Sequence, residues 1–162
     1  MLPGFPLFVG SCPAPDAAPG THPLDGLTGF RLLSFAGLTV PHWLRPTQVT
    51  PGDVLDAYAE CVNLWPEYTA SRTAEEGRQR AASLDCRGRV VVLLGREVQR
   101  AFRDRLSVPG ASFYSWVEPA EGDGAEIYVT VPHPSPINRT FNRKAHRVTT
   151  GRVVRRALEI AA

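Results

Sequence analysis

Arg89-Val90-Val91-Val92-Leu93-Leu94-Gly95-Arg96 is a run of β-branched and leucine residues closed by glycine. A strand with one wet face alternates apolar and polar residues, whereas a strand covered on both faces is apolar throughout. Gly95 turns this run directly into an amphipathic segment, Arg96 to about Leu106, so a helix follows the strand at once. The same order extends on both sides. Phe5 to Cys12 reads as a buried first strand ending in Gly10-Ser11-Cys12-Pro13, and a loop rich in Pro, Ala and Asp runs to about Gly26. Leu27, Phe30, Leu32, Leu33 and Leu38 recur at near-helical spacing through Gly37. Residues 39–52, rich in proline, look like an irregular crossover. Residues 53–64 are ambiguous: Val54, Leu55 and Tyr58 suit a helical turn, and Glu60 to Leu64 a strand end. Thr73 followed three residues later by Glu76 is a capping-box pattern opening a helix to about Leu84.

Phe113–Val117 and Ile127–Val131 read as two further strands. A last helix is expected from about Asn142 to Ile160, with a break near Thr149-Thr150-Gly151. Alternating strand and helix predicts an α/β fold. The expectation is one domain over residues 1–162, a three-layer α/β/α sandwich with a central, mainly parallel sheet of about four strands. In such sheets the chemistry sits at the carboxyl ends of the strands.

Composition agrees with one globular domain: 162 residues, 43% hydrophobic and 21% charged. No apolar run approaches the roughly 20 residues that span a bilayer. The apolar N-terminus lacks a basic flank and reads as a strand rather than a secretory signal. Cys12, Cys61 and Cys86 form no C-x-x-C pair, which excludes a four-cysteine cluster within the chain and points to reduced thiols in the cytoplasm. His22, His42, His133 and His146 show no metal-ligand spacing. The net charge of +2 hides an asymmetry: from His133 onward seven Arg or Lys face one acid, Glu159, while the preceding residues hold eleven basic and fifteen acidic groups. Such a basic face supplies phosphate contacts, and it equally describes a solvated helix surface.

The most informative loop follows the last strand: His133-Pro134-Ser135-Pro136-Ile137-Asn138-Arg139. Pro134 and Pro136 fix φ and keep His133 and Ser135 out of helical conformation. A stiff loop at a strand end, next to positive charge, is suited to pressing side chains into nucleic acid.

His-Pro-Ser-Pro followed by an aliphatic residue resembles the DNA-intercalation loop of the uracil-DNA glycosylase superfamily. Four more segments, in order, are similar to that family: Phe8-Val9-Gly10-Ser11-Cys12-Pro13, Pro23-Leu24-Asp25-Gly26-Leu27-Thr28-Gly29, Val62-Asn63-Leu64 and Val91-Val92-Leu93-Leu94-Gly95-Arg96. The resemblance implies a DNA glycosylase that flips a nucleotide and hydrolyses its N-glycosidic bond, acting on duplex or single-stranded DNA as a cytoplasmic, nucleoid-associated monomer, without membrane attachment. It implies no cofactor and no metal, because hydrogen bonds activate the leaving base. His133 would stabilise that base, Asp16 or Asp25 would offer a carboxylate, and Gly10, Ser11, Cys12, Leu24, Asn63 and Ser135 would bind substrate. Pro134, Pro136, Ile137, Asn138, Arg139, Arg143 and Lys144 would meet DNA, with Ile137 as wedge. Cys12 stands where the most familiar branch has Asp, Pro15 where it has His, and Leu24 where a stacking Phe is usual. Those departures point away from uracil toward a damaged or modified pyrimidine. Two rivals are a non-catalytic nucleic-acid-binding protein on the same scaffold and an enzyme acting on free nucleotides.

Overall fold

A computed structural model describes residues 4–41, 49–121, 125–135 and 137–162. Residues 42–48 of the expected crossover, with His42, lie outside these residues, as does Pro136.

The five-residue strand β3, Val90–Leu94, is wholly buried, as its composition requires. It pairs in parallel with β1, Leu7–Gly10, on one side and with β5, Ile127–Val131, on the other. Beyond β1 lies β2, Glu60–Asn63, also parallel, and beyond β5 the short β4, Trp116–Val117, runs antiparallel. The sheet thus has five strands in the order β2-β1-β3-β5-β4. The fold is α/β with helices on both faces.

Alternation along the strands divides the core in two. Leu7, Val9, Val91, Leu93 and Tyr128 pack beneath α3, Ala74–Ser83, and α4, Arg96–Ala101, with Val98, Ala101 and Phe102. Phe8, Val90, Val92, Leu94, Val129 and Val131 face α1, Gly26–Ala36, α2, Pro51–Asp56, and α5, Lys144–Ala161, meeting Leu32, Leu55, Val154 and Ala157. Buried apolar area on both faces is the dominant stabilising term in such a sandwich.

One ambiguity is resolved and four local expectations are revised. Residues 53–64 contain both alternatives in turn: α2 and then β2. Thr50 begins α2 with a reciprocal capping box, Thr50 Oγ1 accepting from the Asp53 N–H and the Asp53 carboxylate from the Thr50 N–H. Thr73 does accept from the Glu76 N–H, but the Glu76 carboxylate takes the Arg80 guanidinium instead. α4 stops at Ala101 and tightens into a 3-10 turn over Arg103–Arg105. β4 is shorter than the stretch from Phe113, because Tyr114 adopts φ 70° and breaks the extended run.

The expected break in α5 is absent. Gly151 sits where α5 crosses α1, and a Cβ there would lie 1.8 Å from the Phe35 carbonyl oxygen. The glycine serves the crossing, not a helix end. Arg155 ties the same two helices by donating to the Ala36 carbonyl at 2.9 Å.

Candidate functional site

Because β1, β2, β3 and β5 are parallel, their carboxyl ends, Gly10, Asn63, Leu94 and Val131, share one edge. Chain connections leave β1 toward β2 on one side and β3 toward β5 on the other, so the loops diverge and leave a crevice there. A cavity of about 320 Å³ opens at this edge, with Cys12, Pro13, Ala14, Ala17, His22, Leu24, Asp25, Asn63 and His133 in its wall.

His133 enters this wall from the loop after β5. Its Nδ1 accepts the Ser135 N–H at 3.1 Å, which leaves Nε2 to carry the proton of a neutral ring. Burial pushes the His133 pKa down, and the Glu97 carboxylate opposes that shift without cancelling it. The imidazole is therefore held neutral, as a single N–H donor.

The loop beyond is braced from inside. Asn138 donates through Nδ2 to the His133 carbonyl at 2.7 Å and accepts at Oδ1 from the Thr140 N–H. The Asn138 N–H meets the Ser135 carbonyl, which also takes Arg31 Nη1 at 2.8 Å. Ser135 Oγ accepts the Ile137 N–H and keeps its own hydrogen to donate. Pro134 is buried, whereas Ile137 is 88% exposed. An aliphatic residue so exposed on so constrained a loop is not there for the core. Arg139, Arg143 and Lys144 are exposed, and their side chains have no partner among the described residues.

Asn63 ends β2 beside the glycine that ends β1. A Cβ on Gly10 would fall 2.4 Å from Asn63 Oδ1, so a side chain there would push the amide from its place. Cys12, Leu24, Asn63 and His133 thus share the cavity, while Gly10 lies buried behind it.

Of the residues expected to catalyse or to bind substrate, Gly10, Ser11, Asp16 and Ser135 are not in the cavity lining. Asp16 is exposed and outside the cavity lining, where Asp25 is found instead. Ser11 is buried, and its hydroxyl donates to Glu97 Oε2 at 2.5 Å. Asn138 spends both ends of its amide within the loop.

Glu97 and Arg72 carry no recognised motif, and the structure brings both alongside the site. Glu97 follows Gly95 by two residues, at the carboxyl edge of the buried central strand, a position that could have marked it. Burial would raise its pKa, but the Ser11 hydroxyl and the Arg72 guanidinium outweigh that and hold it low. Arg72 donates to Glu97 Oε1 at 2.8 Å and reaches Cys12 Sγ at 3.1 Å. No sequence pattern announces Arg72, because its partners are 25 and 60 positions away.

His22 approaches Asp56 and Cys61, their ligand-type atoms all within 4.8 Å, although its sequence spacing shows no metal pattern. His22 Nδ1 accepts the Leu24 N–H, so Nε2 bears the proton and donates to Asp56 Oδ1 at 2.9 Å. Burial, with help from Asp56 and Glu60, pushes the Cys61 thiol up to about 12. His22 and Asp56 are a hydrogen-bonded pair and the Cys61 thiol turns to the Ala59 carbonyl, so a cation would have to displace protons from both His22 and Cys61.

Among the described residues no helix is long and apolar enough to cross a membrane. No protein-family model matches this chain, and a search of curated proteins finds no significant match.

Proposed function

We propose that this chain is a DNA N-glycosylase of the uracil-DNA glycosylase type, acting on an unusual pyrimidine. One observation carries the reading: a neutral histidine in the cavity wall lies four residues from a fully presented aliphatic tip, on one internally braced loop. A base must leave the stack before a pocket can reach its glycosidic bond, and unstacking costs a few kcal/mol. Ile137 pushed into the vacated gap offsets part of that cost, and Arg139, Arg143 and Lys144 hold the flanking phosphates, with the Ser135 hydroxyl as a further donor.

Chemistry then rests on the leaving group. As the bond to the sugar breaks, negative charge gathers on the base carbonyl, and the His133 Nε2–H stabilises it in a partly dry site; water adds to C1′ of the sugar, and the proton it loses balances the one the departing base takes up. Asn63 offers an amide for the Watson–Crick edge. Glu97, occupied by Ser11 and Arg72, braces the rim rather than activating water.

The test is a panel of labelled duplex and single-stranded oligonucleotides carrying uracil, hypoxanthine or 5-substituted pyrimidines, scored by alkaline scission at abasic sites. His133→Ala should lower the rate about 10²–10³-fold, the usual effect of removing one charge-stabilising donor. Absence of scission for every base removes the hydrolytic reading. Salt-dependent binding without scission would favour a non-catalytic nucleic-acid-binding protein, a reading supported by the unpaired basic side chains and by the absence of Asp16 from the cavity lining.

A further inference from the structure

The ionisable lining of the cavity is one-sided. Among the described residues it holds two histidines, the Cys12 thiol and Asp25, with neither lysine nor arginine. Arg31 and Arg72, which touch the surrounding loops, are committed to the Ser135 carbonyl and to Glu97 with Cys12. His22, itself in the wall, is joined to a second carboxylate, Asp56.

Asp25 has an unusual posture. It occupies the N-cap position of α1, yet its side chain does not cap that helix. The carboxylate reaches across to α2, where Oδ1 accepts the Gly52 N–H at 3.1 Å. The second oxygen has no hydrogen-bond partner among the described residues. An ionised carboxylate is an acceptor only, so a ligand edge meeting it must donate. Other parts of the wall, Ala14, Ala17 and Gly26, are small and leave space for a substituent beyond a pyrimidine ring.

We propose that the cavity selects a nucleobase bearing an amino group, held by the free oxygen of Asp25. The inference rests on the cavity being a base pocket, and it narrows the substrate class. An amine donates to the carboxylate, as cytosine N4 does to acidic side chains in DNA readout. A carbonyl at the same position would set acceptor against acceptor and leave that oxygen without a partner, and sites built to hydrogen-bond one substrate group discriminate on that ground.

The experiment uses the full chain and matched single-stranded oligonucleotides that differ in one base. One pair, 5-aminomethyluracil against 5-methoxymethyluracil, whose ether oxygen accepts but cannot donate, tests a pendant amine. The other, 5-methylcytosine against thymine, tests a ring amine. The corresponding free nucleosides read the cavity without strand contacts. Dissociation constants come from fluorescence competition, and alkaline scission is scored in parallel. At least one amine-bearing member should bind about tenfold or more tightly than its partner, and Asp25→Asn should erase the difference. Asn keeps a carbonyl acceptor for the Gly52 N–H; Asp25→Ser, checked by its melting curve, serves as a second variant should the first lose its fold.

Equal affinities in both pairs, or a preference surviving loss of the carboxylate, overturn the proposal. Amine preference without scission leaves it standing and removes the hydrolytic reading. Scission of uracil and thymine with no amine preference does the reverse. Failure of every probe to bind overturns both.

Discussion

Gly10 and His133 show how single atoms set the terms of the cavity. The methyl of Gly10→Ala would intrude on Asn63 Oδ1 at 2.4 Å, forcing the amide out of the lining. Overpacking of this kind costs about 1–3 kcal/mol, and a chain of this size loses roughly 2–4 °C of melting temperature per kcal/mol. A thermal melt unchanged from the parent would show that Asn63 moves aside freely. For His133, burial lowers the folded-state pKa below its ordinary value of 6.5. The unfolded chain therefore binds the extra proton first, so this group's contribution to stability is complete above about pH 6.5 and is lost as pH falls toward the folded value. The parent should lose melting temperature between pH 7.5 and pH 5.5 more steeply than His133→Ala does. Equal slopes would mean that the ring titrates as freely as in solvent.

At the scale of elements, α5 and α1 carry the clearest opposition of effects. Alanine is the better helix former, by about 1 kcal/mol in a helix interior, so Gly151→Ala should stabilise an isolated α5. In the folded chain the added methyl would meet the Phe35 carbonyl oxygen at 1.8 Å, and the helices must part. The expected net result is a fall in melting temperature of about 5 °C or more, since prising open a packed crossing outweighs a propensity gain. A rise would show that α5 rides loosely on α1. The loop after β5 shows a related division of labour. Its prolines limit its conformations, but the Asn138 and Arg31 hydrogen bonds determine which conformation is held.

For the whole molecule, the parallel sheet brings the exits of β1, β2 and β5 to one rim and the C-terminal cations beside it. On the proposed glycosylase reading, Arg139, Arg143 and Lys144 would each neutralise one phosphate and release counterions. Replacing all three with alanine should reduce the slope of log affinity against log salt concentration by about two to three units. The loss should be nearly the same for every sequence tested, because phosphate contacts carry no base information. An unaltered slope would show that these three side chains take no phosphate.

The α/β class was legible in Val90–Leu94 because a run with no polar position has no wet face, and no tertiary information is needed to infer cover on both sides. The carboxyl-edge loops, and the place of His133 on one of them, were legible for the same local reason, strand followed by turn. What only the folded chain decided depends on distance in space between residues far apart in sequence. The Ser11–Glu97–Arg72 linkage, Asp25 rather than Asp16 in the cavity wall, and the unbroken α5 over Gly151 each arise from contacts across the sheet or between helices. Local composition carries propensity and solvent exposure; it does not encode which distant carbonyl, carboxylate or guanidinium will be near enough to bond.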